Sequence, residues 1–210
     1  MRATITFICF IITFISFAQN DFRVMKEVEA FKKNLTEKTA ITNSIIAEFK
    51  QEKFMSILSQ QLISNGTIKF KQPNMVKWSY TTPYLYDIVL NGNGIIIDDG
   101  GKVNEFSVGS SKLFSEMNQL IINSVQGNVL DATKFNITYL ENQKYFAAVL
   151  TPIDKKQLGA FLSEIEIYFD KQDYSVSRLK LVEPEEDYTQ ITFFNKQFNQ
   201  AISDEIFSKK

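Results

Sequence analysis

The stretch Asn65-Gly-Thr-Ile-Lys-Phe-Lys-Gln-Pro-Asn-Met-Val-Lys-Trp-Ser-Tyr80 decides the fold. Ile68 and Phe70 alternate with Lys69 and Lys71, the period of two that marks a half-buried strand. Pro73-Asn74 interrupts the run, because proline fixes φ and cannot donate to a ladder. Alternation then resumes, with Val76, Trp78 and Tyr80 on one face and Lys77 and Ser79 on the other. The pattern predicts two antiparallel strands around a Pro-Asn turn, with one apolar face that something else must cover.

The same pattern extends in both directions. Upstream, Ile45–Lys50 and Phe54–Leu62 read as strands, and Asn65-Gly66 reads as a hairpin turn. Downstream, Leu85–Leu90, Ile95–Ile97 and Val103–Val108 follow, separated by Asn91-Gly92-Asn93-Gly94 and Asp98-Asp99-Gly100-Gly101. Strands return at Asn136–Leu140, Tyr145–Leu150, Phe161–Phe169, Val176–Val182 and Tyr188–Phe194. In the tail, Ile202, Ile206 and Phe207 are candidate docking residues.

Two amphipathic helices are expected. The first has Asn20 as its cap and Asp21 in its first turn. Phe22, Met25, Val28, Phe31 and Leu35 recur at spacings of three and four, and the polar stretch Thr36–Thr39 ends it. The second opens at Ser110-Ser111, places Leu113, Phe114, Met117, Leu120 and Ile121 on one face, and stops at Gly127.

The first eighteen residues read as a cleavable signal peptide. Arg2 is a short positive region, Ile5–Phe17 an apolar run, and Ser16-Phe17-Ala18 a small-residue cleavage site. The run is shorter than the ~20 residues of a membrane span. Residues 19–210 are then expected to form a single domain. Of 23 basic residues, removing Arg2 leaves 22 against 24 acidic, which disfavours a nucleic-acid groove. Cys9, the only cysteine, leaves with the leader, so no disulfide is expected.

The chain contains no histidine. That removes Ser-His and Cys-His pairs, histidine general bases and most zinc sites. Glu164 and Glu166 share one strand face and are the best remaining carboxylate pair, but two solvated glutamates opposite an apolar face explain them better. Asp98-Asp99 lacks the spaced ligands of a calcium loop. A binding protein is expected rather than an enzyme, with no cofactor and no metal.

The residues carry a resemblance. Gly66–Tyr80, then Thr82-Pro83, then Ile88-Val89-Leu90-Asn91-Gly92, are similar to the LolA-type carriers of outer-membrane lipoproteins. Phe49 with Gln51, Leu150-Thr151-Pro152, Asp187 with Thr189 and Phe193, and Asn199 with Phe207 match further family positions in order. The resemblance implies an α+β fold, mostly antiparallel: an incomplete half β-barrel with an amphipathic helical lid over its concave apolar face. It also implies a monomer in the periplasm that binds acylated lipoprotein cargo. An inner-membrane ABC-type exporter would load it, and an outer-membrane acceptor would unload it. Relatives of this fold also include stress-sensing regulators and carriers of other lipids, so a lipid-sensing module or a carrier of another lipid or glycolipid is the alternative.

The expected cavity and lid residues are Met25, Val28, Phe31, Phe49, Met55, Phe70, Val76, Trp78, Phe114, Met117, Leu120, Ile121, Ile165, Ile167, Phe169, Leu179 and Leu181. Methionine suits such a lining because it repacks readily. Where the family typically has an arginine that holds the lid closed, this chain has Gln72, an amide without charge or guanidinium fork.

Overall fold

The structure, a computed structural model, describes residues 21–58, 60–92, 94–106, 122–123, 130–156 and 158–208. The leader, and Phe114, Met117, Leu120 and Ile121 of the second expected helix, lie outside the described residues. Within that stretch only Ile122 and Asn123 are described; both are helical, and Ile122 is buried.

Among the described residues, one open antiparallel sheet of twelve strands organises the chain. Its first half is a meander: β2 (Ser44–Met55), β3 (Gln60–Lys71), β4 (Met75–Thr82), β5 (Tyr86–Leu90), β6 (Ile95–Asp99) and β7 (Lys102–Phe106). Its second half is another: β8 (Phe135–Glu141), β9 (Tyr145–Pro152), β10 (Glu164–Asp170), β11 (Val176–Val182) and β12 (Tyr188–Phe198). β12 pairs with β2 and joins the two meanders, while β1 (Arg23–Val24) adds to the far edge against β8.

The single described helix of full length, α1 (Val28–Ala40), lies over the second meander. Phe31, Leu35 and Thr39, spaced at four, are its buried face. Phe31 packs edge-on to Phe169 and stacks with Tyr174, above Leu35, Ile165, Ile167 and Leu179. A second cluster covers the first meander and gathers Phe49, Ile68, Phe70, Val76, Trp78 and Tyr80 around Ile122.

Three expectations are corrected. The first helix does not begin near Asp21, because Arg23 and Val24 pair with Glu141 and Leu140 and the Met25 amide donates to Tyr139 O. An Arg23–Glu141 ion pair reinforces that edge strand. The helix also runs through Thr36–Thr39 rather than stopping there, with Thr39 Oγ1 turned back onto Leu35 O at 2.9 Å.

The third correction concerns Asn65-Gly66, which lies inside β3 and not at a turn. The chain instead reverses at the 3₁₀ turn Ser56–Leu58, so β2 and β3 form one long arm. Gly66 is there for space. A Cβ on it would sit 2.1 Å from Ser79 O and 2.8 Å from Phe49 Cζ. The Phe49 ring occupies the missing volume and meets Trp78 and Tyr80 edge-on. Gly66→Ala is expected to cost about 1–3 kcal/mol, the usual penalty for overpacking, and chemical denaturation monitored by Trp78 fluorescence would measure it.

Candidate functional site

A cleft opens on the inner face where the two meanders meet, enclosing about 740 Å³ counting space open to solvent. The end of α1 supplies Lys38 and Thr39, followed by Thr42. β2 and β3 supply Ile45, Ala47, Ile68 and Phe70. The opposite wall is Tyr174, Val176, Leu179, Phe193 and Phe198, with Asp173, Ser175 and Lys196 among them.

Two irregularities build that opposite wall. β11 slips register against β10 between Tyr168 and Phe169, so Phe169 pairs with Val176 while Tyr168 pairs with Arg178. β12 slips against β2 between Phe194 and Gln197. Phe193 pairs with Phe49 and Phe198 with Ile45, so both phenylalanines face inward although their spacing is odd. Asn195, at φ 52°, takes the turn inside this bulge. Lys196 thereby comes to the cleft, where its ammonium bonds Ser175 Oγ and lies 3.5 Å from Asp173. Lys196 is therefore paired, and the rest of the described wall is mostly hydrocarbon.

The expected lining residues divide. Phe70 and Leu179 line the cleft. Met25, Phe31, Ile165, Ile167, Phe169 and Leu181 are packed in the cluster under α1, with Val28 half-buried against it. Phe49, Val76 and Trp78 are packed in the other cluster. Met55 is half-buried at the end of β2, well away from the cleft. Ile45, Ala47 and Ile68 escaped selection although they share the phase of Phe49 and Phe70. Tyr174, Val176, Lys196 and Phe198 depend on bends and bulges that periodicity does not announce.

Gln72 lies at the end of β3 beside a cis proline, and its Nε2 donates to Thr42 O at 2.8 Å. Its own amide donates to Asn43 O at 2.9 Å. Asn199 makes the matching contact from the other side. It donates Nδ2 to Ile41 O at 3.1 Å and accepts from Asn43 N at 2.7 Å. The two carbonyls that follow the helix, Ile41 O and Thr42 O, thus each accept from a neutral side-chain amide. Asn34 Nδ2, donating to Tyr174 OH at 3.0 Å, ties the middle of α1 to the cleft wall.

Of the carboxylate pair Glu164 and Glu166, the second is engaged by neighbouring side chains. Glu166 is ion-paired with Lys180 at 2.8 Å and accepts from the Tyr168 hydroxyl. Burial, with Glu166 beside it, pushes that phenol well above its ordinary range. Burial and the stacked Tyr86 do the same to Tyr80, leaving it a neutral donor to Gln51.

Residues 40–210 match the family described as "Outer membrane lipoprotein carrier protein LolA". The chain belongs to the LolA family. An "Outer-membrane lipoprotein carrier protein" of Francisella tularensis is 26% identical over 206 residues, covering 97% of this chain and 91% of that one. Among solved structures, a DUF1329 family protein from Desulfovibrio piger superposes with a TM-score of 0.51 at 15% identity, covering 88% of this chain and 98% of that one. The MucA/MucB complex of Pseudomonas aeruginosa reaches 0.50 at 12% identity, covering 88% and 62% respectively. At such identities these two speak to the fold alone. The family is one of binding proteins rather than catalysts, and the open sheet with its covering helix is its fold.

Gln72→Ala removes one of the side-chain bonds at the end of α1. At about 1 kcal/mol for such a bond, amides of residues 38–42 are expected to exchange with deuterium about fivefold faster, with global stability lowered by no more than that amount.

Proposed function

We propose that this protein is a periplasmic carrier that holds lipoprotein acyl chains in the cleft between sheet and α1 and shuttles them from the inner to the outer membrane. The observation that carries the reading is the cleft itself: an apolar hollow at the seam of the sheet, beside a helix end held by only a few side-chain hydrogen bonds. Family membership supports lipoprotein as the cargo. The reading includes export by the leader, loading by an inner-membrane ABC-type exporter and delivery to an outer-membrane acceptor.

Hydrocarbon is what such a surface takes up. Each methylene removed from water contributes roughly 0.8 kcal/mol, so about ten buried methylenes provide about 8 kcal/mol, a micromolar affinity. Val176→Trp fills the cleft from a half-buried position without touching the packed clusters' centres. It is expected to weaken a fluorescent fatty-acyl probe about tenfold with little change in melting temperature. In the unsubstituted protein, triacylated lipopeptide should displace the probe. Displacement by a glycolipid but not by lipopeptide would move the reading to a carrier of another lipid, and no probe binding at all would end it.

A further inference from the structure

Lys196 is the anomaly of the cleft wall. The register slip of β12 against β2, with Asn195 in its left-handed turn, carries the lysine inward between Phe193 and Phe198. Regular alternation from Phe193 would have sent it to the outer face. Once inside, its side chain is only 13% exposed, on a wall shared with Val176 and Leu179.

An ammonium has three N–H donors. Among the described residues, Lys196 Nζ meets one hydrogen-bond acceptor, Ser175 Oγ. Its ion-pair partner, Asp173 Oδ2, lies at 3.5 Å, longer than an ordinary N–H···O bond. The other oxygen, Asp173 Oδ1, is taken by Ser175, whose amide and hydroxyl donate to it at 2.8 and 2.6 Å. Two donors of a largely buried cation are therefore left for the cleft. Other polar groups lining it are engaged within the protein. Thr39 Oγ1 donates to Leu35 O, Thr42 Oγ1 donates to Lys38 O, and the Tyr174 hydroxyl accepts from Asn34.

A structural tie does not account for this lysine. The turn it touches is already closed, by Tyr174 N donating to Asp170 O and Asp170 N donating to Ser175 O, both at 2.9 Å. Burying a cation carries a desolvation penalty that one hydrogen bond and a long ion pair do not recover. An apolar side chain of similar length would fill the same space without that penalty.

We propose that Lys196 is a ligand-binding residue of the cleft, whose ammonium donates to the carbonyl oxygen of an ester- or amide-linked acyl chain lying against the apolar walls. The inference rests on the carrier reading above and adds to it the end of the chain that the cleft recognises. Apolar contact supplies most of the affinity, and Lys196 fixes the carbonyl end beside the 173–175 turn. A carbonyl suits the place for two reasons. Hydrogen bonds from an ionised donor are about twice as strong as neutral ones. A neutral acceptor also escapes repulsion from Asp173, which a free carboxylate at the same ammonium would meet.

The test begins with diphenylhexatriene, a hydrocarbon probe, bound to the protein. It is displaced in turn by methyl laurate, by sodium laurate and by a straight-chain alkene of matched length. Lys196→Met is expected to weaken the ester about tenfold, the scale of one hydrogen bond to a charged group, while alkene and probe change less than about twofold. Its melting temperature is expected to stay the same or rise, because a partly bonded buried cation is replaced by hydrocarbon. Lys196→Arg, which keeps charge and donors, should retain ester binding. Infrared spectra of carbonyl-labelled methyl laurate give a readout that needs no variant. Bound to the unsubstituted protein, its C=O stretch should fall below the value in an alkane solvent. A stretch at the alkane value would overturn the proposal. So would a Met variant that loses ester and alkene together with a lowered melting temperature, which would make Lys196 a structural tie. Loss confined to laurate would also overturn it, since the lysine would then be pairing with free carboxylate. Probe binding with ester displacement unchanged in Lys196→Met would end this inference and leave the carrier reading standing. No binding of any probe would end both.

Discussion

The pairing of β12 with β2 is the constraint on which the rest of the structure depends. It runs from Tyr188 against Phe54 to Phe198 against Ile45, across roughly 140 residues of chain. Each meander is a local object that a short turn can close. Only this ladder makes them one sheet, and it brings Phe193 over Trp78 and beside Phe49. The cleft straddles the same ladder, with Ile45 and Ala47 on one strand and Phe193 and Phe198 on the other. A pairing of such sequence separation is entropically costly to form. The aromatic pile of Phe49, Trp78 and Tyr80, seated over Gly66, supplies burial that holds β2 in place once it forms.

Most strands were legible because their burial alternates cleanly. Ile165, Ile167 and Phe169 are buried while Glu164, Glu166 and Tyr168 are half-exposed, as a period of two requires. The same alternation identified Ile68, Phe70, Val76, Trp78 and Tyr80. What misled was chemistry with two uses. Asn65-Gly66 carries the composition of a tight turn, but the glycine is demanded by a ring packed against its backbone. The segment around Met25 has helical spacing, but an open sheet edge captured it. The cleft was harder still. Its far wall rests on two register slips, each moving later side chains to the opposite face, and a one-residue slip leaves no mark in an alternation pattern. The inward set could therefore be named as apolar, while the distinction between packed interior and open cleft could not.

That distinction matters for how such a protein can carry anything. A fully packed interior has no vacancy, and opening one would cost several kcal/mol. A cleft at a seam already has its surface exposed, and one of its two described lysines, Lys196, is engaged with Asp173 and Ser175. Binding there is governed by hydrocarbon area and shape. Against water the gain is substantial. Against a bilayer it nearly vanishes, since lipid tails are as apolar as the cleft. A carrier needs both conditions: retention in water and release without a large barrier at a membrane.

The helix end expresses the same balance. An arginine facing those carbonyls would bring a charge toward the negative end of the helix dipole and hydrogen bonds worth about 1.5–3 kcal/mol each. Gln72 offers an amide dipole and one bond, closer to 1 kcal/mol. Asn199 contributes a second bond from β12's end, in a left-handed conformation (φ 55°) that asparagine tolerates better than most residues. Two neutral bonds from two strands, about 2 kcal/mol together, fall short of the roughly 3–6 kcal/mol of a two-bond charged fork and differ in character. Neither amide titrates, and neither is appreciably screened by salt, so these two bonds do not vary with pH or ionic strength. It also joins the two meanders to the helix at once: β3 through Gln72 and β12 through Asn199. The end of α1 is thus tied to both sides of the seam, beside the cleft.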